Sequence, residues 1–268
     1  MAGPCLVAAA RGRKKHAKTD RSDARLMREL LQGGDLSESW IPPEVVLEWR
    51  ERVRLYKTLL DQRRMWIERI HAELFHHGAS LPEGQIASPQ TRDWLNSDTV
   101  QLTAAARQRI TVGYHILDAT DAMGLPLRKD LERFARRQPA CKALTAAHYG
   151  IVPLAAVVVW AELGDCRRFS RSLQVVRHTG LDVTVDQSER HRGRGYLSRQ
   201  GPETLRWALF EAGMAACRAT SPDRAYYQAV KQAPDGKIAA ISMARKLARR
   251  CYHTLRAMDP DMVYAMPC

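Results

Sequence analysis

The sequence predicts a mainly α fold, and three observations carry that prediction. Between about Glu44 and His77, apolar side chains recur at alternating steps of three and four for about four heptads. Shorter segments elsewhere repeat the helical step, bounded by Ser, Thr, Asp, Gly or Pro. Beyond residue 40, β-branched alternation is confined to "GLDVTVD" at 180–186.

Residues 5–10 are apolar and short, the pattern of a strand, and "RGRKKHAK" then puts five basic side chains into eight positions. In "TDRSDARLMRELLQGG", Thr19 or Asp20 caps a helix through Leu26, Met27, Leu30 and Leu31, which Gly33 and Gly34 end. The long helix after "SWIPPE" turns inward Val46, Trp49, Val53, Tyr56, Leu60, Arg63, Ile67, Ile70 and Leu74, with Arg63 its one polar member. A seam this regular requires a partner helix, from another subunit or from later in the chain. "HHGASLPEGQIASP" is a connector, and helices are expected at about 91–106, 107–123, 127–137 and 139–148. In "AAHYGIVPLAAVVVWAELGD" two apolar helices flank a turn at Gly150 and Pro153. The last helix, about 236–257, carries Arg245, Lys246, Arg249, Arg250 and Arg256 and reads as a basic surface.

Lysine and arginine total 42 against 29 acidic residues in a chain of 268, a formal net charge of +13. Such an excess suits a polyanionic partner, of which nucleic acid is the commonest. The six cysteines are scattered without zinc spacing and read as free thiols. The longest apolar run, "IVPLAAVVVWA" at 151–161, is too short to span a membrane. Charges follow the N-terminal apolar patch instead of preceding it, which argues against a signal peptide. A cytoplasmic protein without membrane association is expected.

Three constellations could carry chemistry. Asp20 and Asp23 lie three apart at a helix start, so both carboxylates leave nearly the same face. They either favour the positive end of the helix dipole or hold Mg2+ together with substrate phosphate oxygens. The Gly150 turn has the layout of a helix-hairpin-helix, which offers backbone N–H groups to a phosphate, or is a tight turn between core helices. In "RGRGYLSRQGPETLR", Ser198 sits among Arg190, Arg192, Arg194, Arg199 and Arg206, with Gly193, Gly195 and Gly201 allowing close backbone approach. It is either a cap in a basic loop or a nucleophile aimed at a phosphodiester, where fixed positive charge stabilises the transition state.

Together these segments resemble one family. "AKTDRSDARLMRELLQGGDLSESWIPP" resembles the "KTDxxDAxxLA" block of the DEDD-type insertion-sequence transposases, the bridge-RNA-guided recombinases. "YGIVPLAAVVVWAELGDCRRFSRSLQVVRHTGL" resembles the opening of that family's C-terminal domain, and "RGRGYLSRQGPETLRWAL" its "RGxxSKxGxxxLR" block. The resemblance implies a remnant of an α/β RuvC-like domain at 1–40, a coiled-coil helix at 41–80, a helical connector at 81–138 and the C-terminal transposase domain at 139–268. It implies DNA strand cleavage and rejoining with Ser198 as the nucleophile. Asp20 and Asp23 would be two of four Mg2+-binding carboxylates, and Lys18 would stand at the family's lysine ahead of them. Lys18, Arg192, Arg194, Arg199, Arg206 and Gly150 are the expected nucleic-acid contacts. DNA, a structured guide RNA and a second subunit joined through the coiled coil are the implied partners.

Two departures stand out. Only 19 residues precede Asp20, and none is Asp or Glu, so an N-terminally shortened member with an incomplete carboxylate site and impaired catalysis is expected. The hairpin reads "GIVP", with Val152 where the family usually has a second glycine. The alternative is a non-catalytic nucleic-acid-binding or assembly protein that retains the basic helical domain.

Overall fold

The structure, a computed structural model, describes residues 20–33, 40–80, 85–97, 99–184, 187–188, 191–192, 196–231 and 236–266. The expected strand at 5–10, the basic run with Lys18, and Arg190, Gly193, Arg194 and Gly195 lie outside the described residues. The chain divides into two units, Met1–Pro43 and Glu44–Cys268.

The described part of the first unit centres on α1 (Asp20–Gln32), with Asp20 and Asp23 in its first turn. Carboxylates there meet the positive end of the helix dipole.

The second unit is built on a pair of long helices, α2 (Glu44–His76) and α4 (Ala104–Ala135), which pack along their length. The α2 stripe faces α4, so the partner of the heptad seam is a later helix of the same chain. Val46, Trp49, Val53, Tyr56, Ile70 and Leu74 are buried there, and Leu60, Arg63 and Ile67 are half-buried. Arg63, the polar member of the stripe, meets Asp121 of α4 at 2.7 Å. At the chain-entry end of α2 the Trp49 ring stacks on Phe134 of α4, with centroids 3.7 Å apart. At the opposite end, α3 (Pro89–Asn96) closes a small core of Ile70, Leu74, Ile86, Leu95, Val100, Ile110 and Leu117.

Between 91 and 137 the structure departs from the expected boundaries. Instead of three helices it has short α3, a break, and one continuous α4 that runs through Pro126. Thr103 caps α4 by accepting from the Ala106 amide. Pro126 removes one amide donor, and the Ala122 position left without it lies on an exposed face where water reaches the carbonyl. Packing on α2 then holds the helix straight through.

Behind the pair come α5 (Pro139–Ala147) and α6 (Pro153–Leu163), then α7 (Ser172–His178). Every residue of α6 from Leu154 to Leu163 is buried, which explains its apolar composition. It touches α2, α4, α5 and α8 (Glu203–Met214). Two-residue strands join α7 to α8: β1 (Val183–Thr184) pairs antiparallel with β4 (Tyr196–Leu197), and β2 (Gln187–Ser188) with β3 (His191–Arg192). Then α9 (Arg224–Val230), α10 (Lys237–Ala257) and α11 (Pro260–Tyr264) complete the unit, with α10 laid across α8 and α7. Cys141, Cys166 and Cys251 are buried free thiols. No helix of the described residues is long and apolar enough to cross a membrane.

Candidate catalytic serine site

Ser198 follows β4 directly, and Asp182 directly precedes β1. The register Val183↔Leu197 makes the two residues cross-strand neighbours. Their backbones confirm it, since the Ser198 amide donates to the Asp182 carbonyl at 2.9 Å. Neighbours opposed in this way project side chains to the same face. The Ser198 hydroxyl accordingly donates to Oδ1 of Asp182. Ser198 is half-exposed, as is Asp182.

The loop that carries this pair is fixed from beneath. Nη1 of Arg206, from the first turns of α8, reaches the carbonyls of Thr179, Gly201 and Arg199 at 3.2 to 3.4 Å. Nε of Arg245, from α10, donates to the Leu181 carbonyl at 2.6 Å. Gly201 has room for no side chain: a Cβ there would lie 2.2 Å from the His178 carbonyl oxygen. Arg199 takes a left-handed φ of 52° with its side chain exposed beside Ser198. The loop is thus a stapled turn with a hydroxyl at its tip and a carboxylate on that hydroxyl.

His178 ends α7 just behind the loop. Burial foremost, and then the Arg168 guanidinium, push its pKa down to about 4. Arg168 Nη2 lies 3.4 Å from Nε2 of His178, a contact a neutral imidazole accepts.

Several expected nucleic-acid contacts have other employment. Arg206 spends Nη1 on the loop carbonyls. Gly150 has a φ of 89°, and a Cβ on it would fall 2.5 Å from the Ala212 carbonyl of α8. Its bare Cα therefore serves packing between the α5–α6 turn and α8. The expected basic surface of α10 is also largely turned to internal use. Lys246 and Arg250 bond Asp223, Arg249 meets Ser172, and Arg256 donates to the Phe169 carbonyl. Arg199 remains exposed, while of Arg192 only the strand position is described.

Sequence reasoning missed Asp182 altogether. The signal was available in "GLDVTVD": a short strand ending a helix C-terminus, followed by a second strand reaching Ser198, sets the two residues opposite one another.

Residues 143–228 match the sequence profile of the family described as Transposase IS116/IS110/IS902. That segment encloses the Gly150 turn, Asp182, Ser198, Arg206 and Asp223. The chain is also 24% identical, over 194 residues, to y4qE of Sinorhizobium fredii, named as a candidate transposase. The aligned part is 72% of this chain and 47% of that protein, so the chain spans about half the length of this curated relative. Both similarities are to transposases, the first to the IS116/IS110/IS902 family.

Proposed function

We propose that the chain is the serine-bearing part of an insertion-sequence transposase, and that Ser198 attacks a DNA phosphodiester to give a phosphoserine link. One observation carries the reading. Within the segment similar to that transposase family, Ser198 is held at the tip of a stapled turn with a carboxylate bonded to its hydroxyl. Arg199, next in the chain, carries an exposed positive charge. Such a charge stabilises the phosphoryl group as the nucleophile approaches.

Mg2+ belongs to the same proposal, with Asp20 and Asp23 as its holders. Hard carboxylate oxygens three apart on one helical turn are a donor set that this ion accepts alongside phosphate oxygens. Among the described residues, no group of three or more His, Cys, Asp or Glu is placed to hold an ion by itself. When bound, the ion would supply positive charge to a phosphate oxygen at this helix start. A guide RNA and a second subunit are likewise proposed partners. Because α4 covers the heptad stripe of α2, a second copy would meet another face of the pair.

The test is a denaturation-stable DNA adduct mapped by mass spectrometry. The wild-type chain should yield it on Ser198 in low amount, as the expected impairment requires, and Ser198→Ala should abolish it while leaving DNA affinity intact. No adduct in the wild-type chain, or equal loss of binding in Ser198→Ala, would favour the non-catalytic nucleic-acid-binding reading, and an adduct that survives the substitution would place the nucleophile elsewhere.

A further inference from the structure

We infer that Asp182 is the general base of the serine site, accepting the Ser198 hydroxyl proton as Oγ bonds to phosphorus. The inference rests on the reading of Ser198 as the nucleophile.

Geometry comes first. The Ser198 hydroxyl hydrogen points at Oδ1 of Asp182, so donor and acceptor are already in transfer contact. The pair is held by the backbone bond between the same two residues and by the arginine staples on either side. Little reorganisation is then needed when the proton moves.

The carboxylate's surroundings separate it from four other aspartates of this unit. Asp118, Asp121, Asp165 and Asp223 each bond an arginine. Among the described residues, no lysine or arginine forms an ion pair with the Asp182 carboxylate, whose bonded partner is the Ser198 hydroxyl. A carboxylate locked to a guanidinium is a poor proton acceptor. On Asp182 the oxygen that would take the proton already faces its donor. A carboxylate is a weak base for an alcohol, yet it suffices in phosphoryl transfer. As the Oγ–phosphorus bond forms, the oxygen gives up electron density, and its proton becomes far more acidic than that of a free alcohol.

The step balances. An Oγ lone pair forms the bond to phosphorus, the O–H electrons stay on Oγ, and the proton passes to Asp182 Oδ1. The bond from phosphorus to the leaving deoxyribose oxygen breaks with its electron pair on that oxygen, which takes a proton from water. In rejoining, a deoxyribose hydroxyl attacks phosphorus and gives its proton to the solvent hydroxide, the phosphorus–Oγ bond breaks with its electron pair on Oγ, and Asp182 returns its proton to Oγ.

A fluorophosphate tests the base without DNA or metal, because Oγ attacks phosphorus, fluoride leaves and the proton has the same destination. Diisopropyl fluorophosphate is incubated with the full 268-residue chain and labelled serines are mapped, with exposed Ser170 as internal reference. Ser198 should react well ahead of Ser170, and Asp182→Asn, which keeps an acceptor oxygen on the hydroxyl, should slow it about 100-fold. Formate should restore part of the rate to Asp182→Ala, a rescue that a merely structural aspartate would not permit. Thermal melting of Asp182→Asn should match wild type, separating lost chemistry from lost fold. Wild-type labelling rates in Asp182→Asn, or Ser198 reacting no faster than Ser170, would overturn the inference. Asp182-dependent labelling without any DNA adduct would instead sink the transposase reading and leave the base in place.

Discussion

Arg54 of α2 clasps Glu162 of α6 through two parallel hydrogen bonds, Nε to Oε1 and Nη2 to Oε2, both 2.9 Å long. The Glu162 side chain is 1% exposed, in a helix otherwise wholly apolar. Arg50 stands 3.6 Å from the same carboxylate and donates to the Ala161 carbonyl, so two arginines fasten the long helix to the buried one. The bond to Glu162 raises the pKa of Arg54, while burial lowers that of Arg50. Breaking a buried pair by neutralising one member leaves the other charge poorly compensated, a loss of about 3 kcal/mol. Glu162→Gln should therefore lower urea stability by about that much, whereas Arg54→Ala, whose side chain is half in water, should lower it by about 1 kcal/mol. Equal effects of the two changes would show that the carboxylate is not the anchor.

Gly201 gives a sharper test of the stapled turn. Alanine there would force the backbone away from the His178 carbonyl, which an added Cβ would approach to 2.2 Å. Overpacking against backbone costs about 1 to 3 kcal/mol. Gly201→Ala should lower the melting temperature accordingly, and it should also erase preferential labelling of Ser198. Retained labelling in a destabilised variant would separate the turn from the reactivity.

His178 sets an acid limit. Its pKa in the fold, about 4, lies below its ordinary 6.5, because burial and Arg168 disfavour the charged ring. Burial lowers the pKa of His148 as well, with Arg250 adding to the effect. Neutral imidazole is thus the form the fold holds. Its contribution is complete above about pH 6.5 and is lost as the pH falls through about 4. Between pH 7 and pH 5 the wild type should lose about 1 to 2 kcal/mol of urea stability on this account. In His178→Gln the decline should be shallower by most of that amount, and an unchanged slope would contradict the assignment.

Much of the frame was legible in the sequence because helices announce themselves locally. The stripe from Val46 to Leu74 gave the buried face of α2 correctly, and its polar member Arg63 finds Asp121 across the seam. Which helix would cover that stripe was not legible, since a heptad seam looks the same whether its partner is another subunit or α4. The expected helices stop at 123 and resume at 127, either side of Pro126, because propensity is local, while the packing on α2 that carries α4 past it is not. Lys246 and Arg250 read as surface charge because their partner, Asp223, lies more than twenty residues away in sequence. Asp182 was missed for the same reason: it meets Ser198 only once two very short strands pair.

Arg199 and the pair Lys246 and Arg250 lead to opposite expectations for DNA. The Arg199 side chain is exposed at the serine turn. Lys246 and Arg250 surround Asp223, whose side chain is 7% exposed and whose pKa they lower, first Arg250 and then Lys246 through their hydrogen bonds. A cation on a phosphate releases a counterion, and removing it reduces the slope of log affinity against log salt by about one. Arg199→Asn, chosen because asparagine tolerates the left-handed backbone, should show that reduction on duplex DNA with stability unchanged. Arg250→Met should leave the salt slope as it is and lower urea stability by about 3 kcal/mol, since Asp223 loses its main partner in the core. A reduced slope in Arg250→Met would place α10 on the nucleic acid after all. An unchanged slope in Arg199→Asn would remove the DNA backbone from the Ser198 turn.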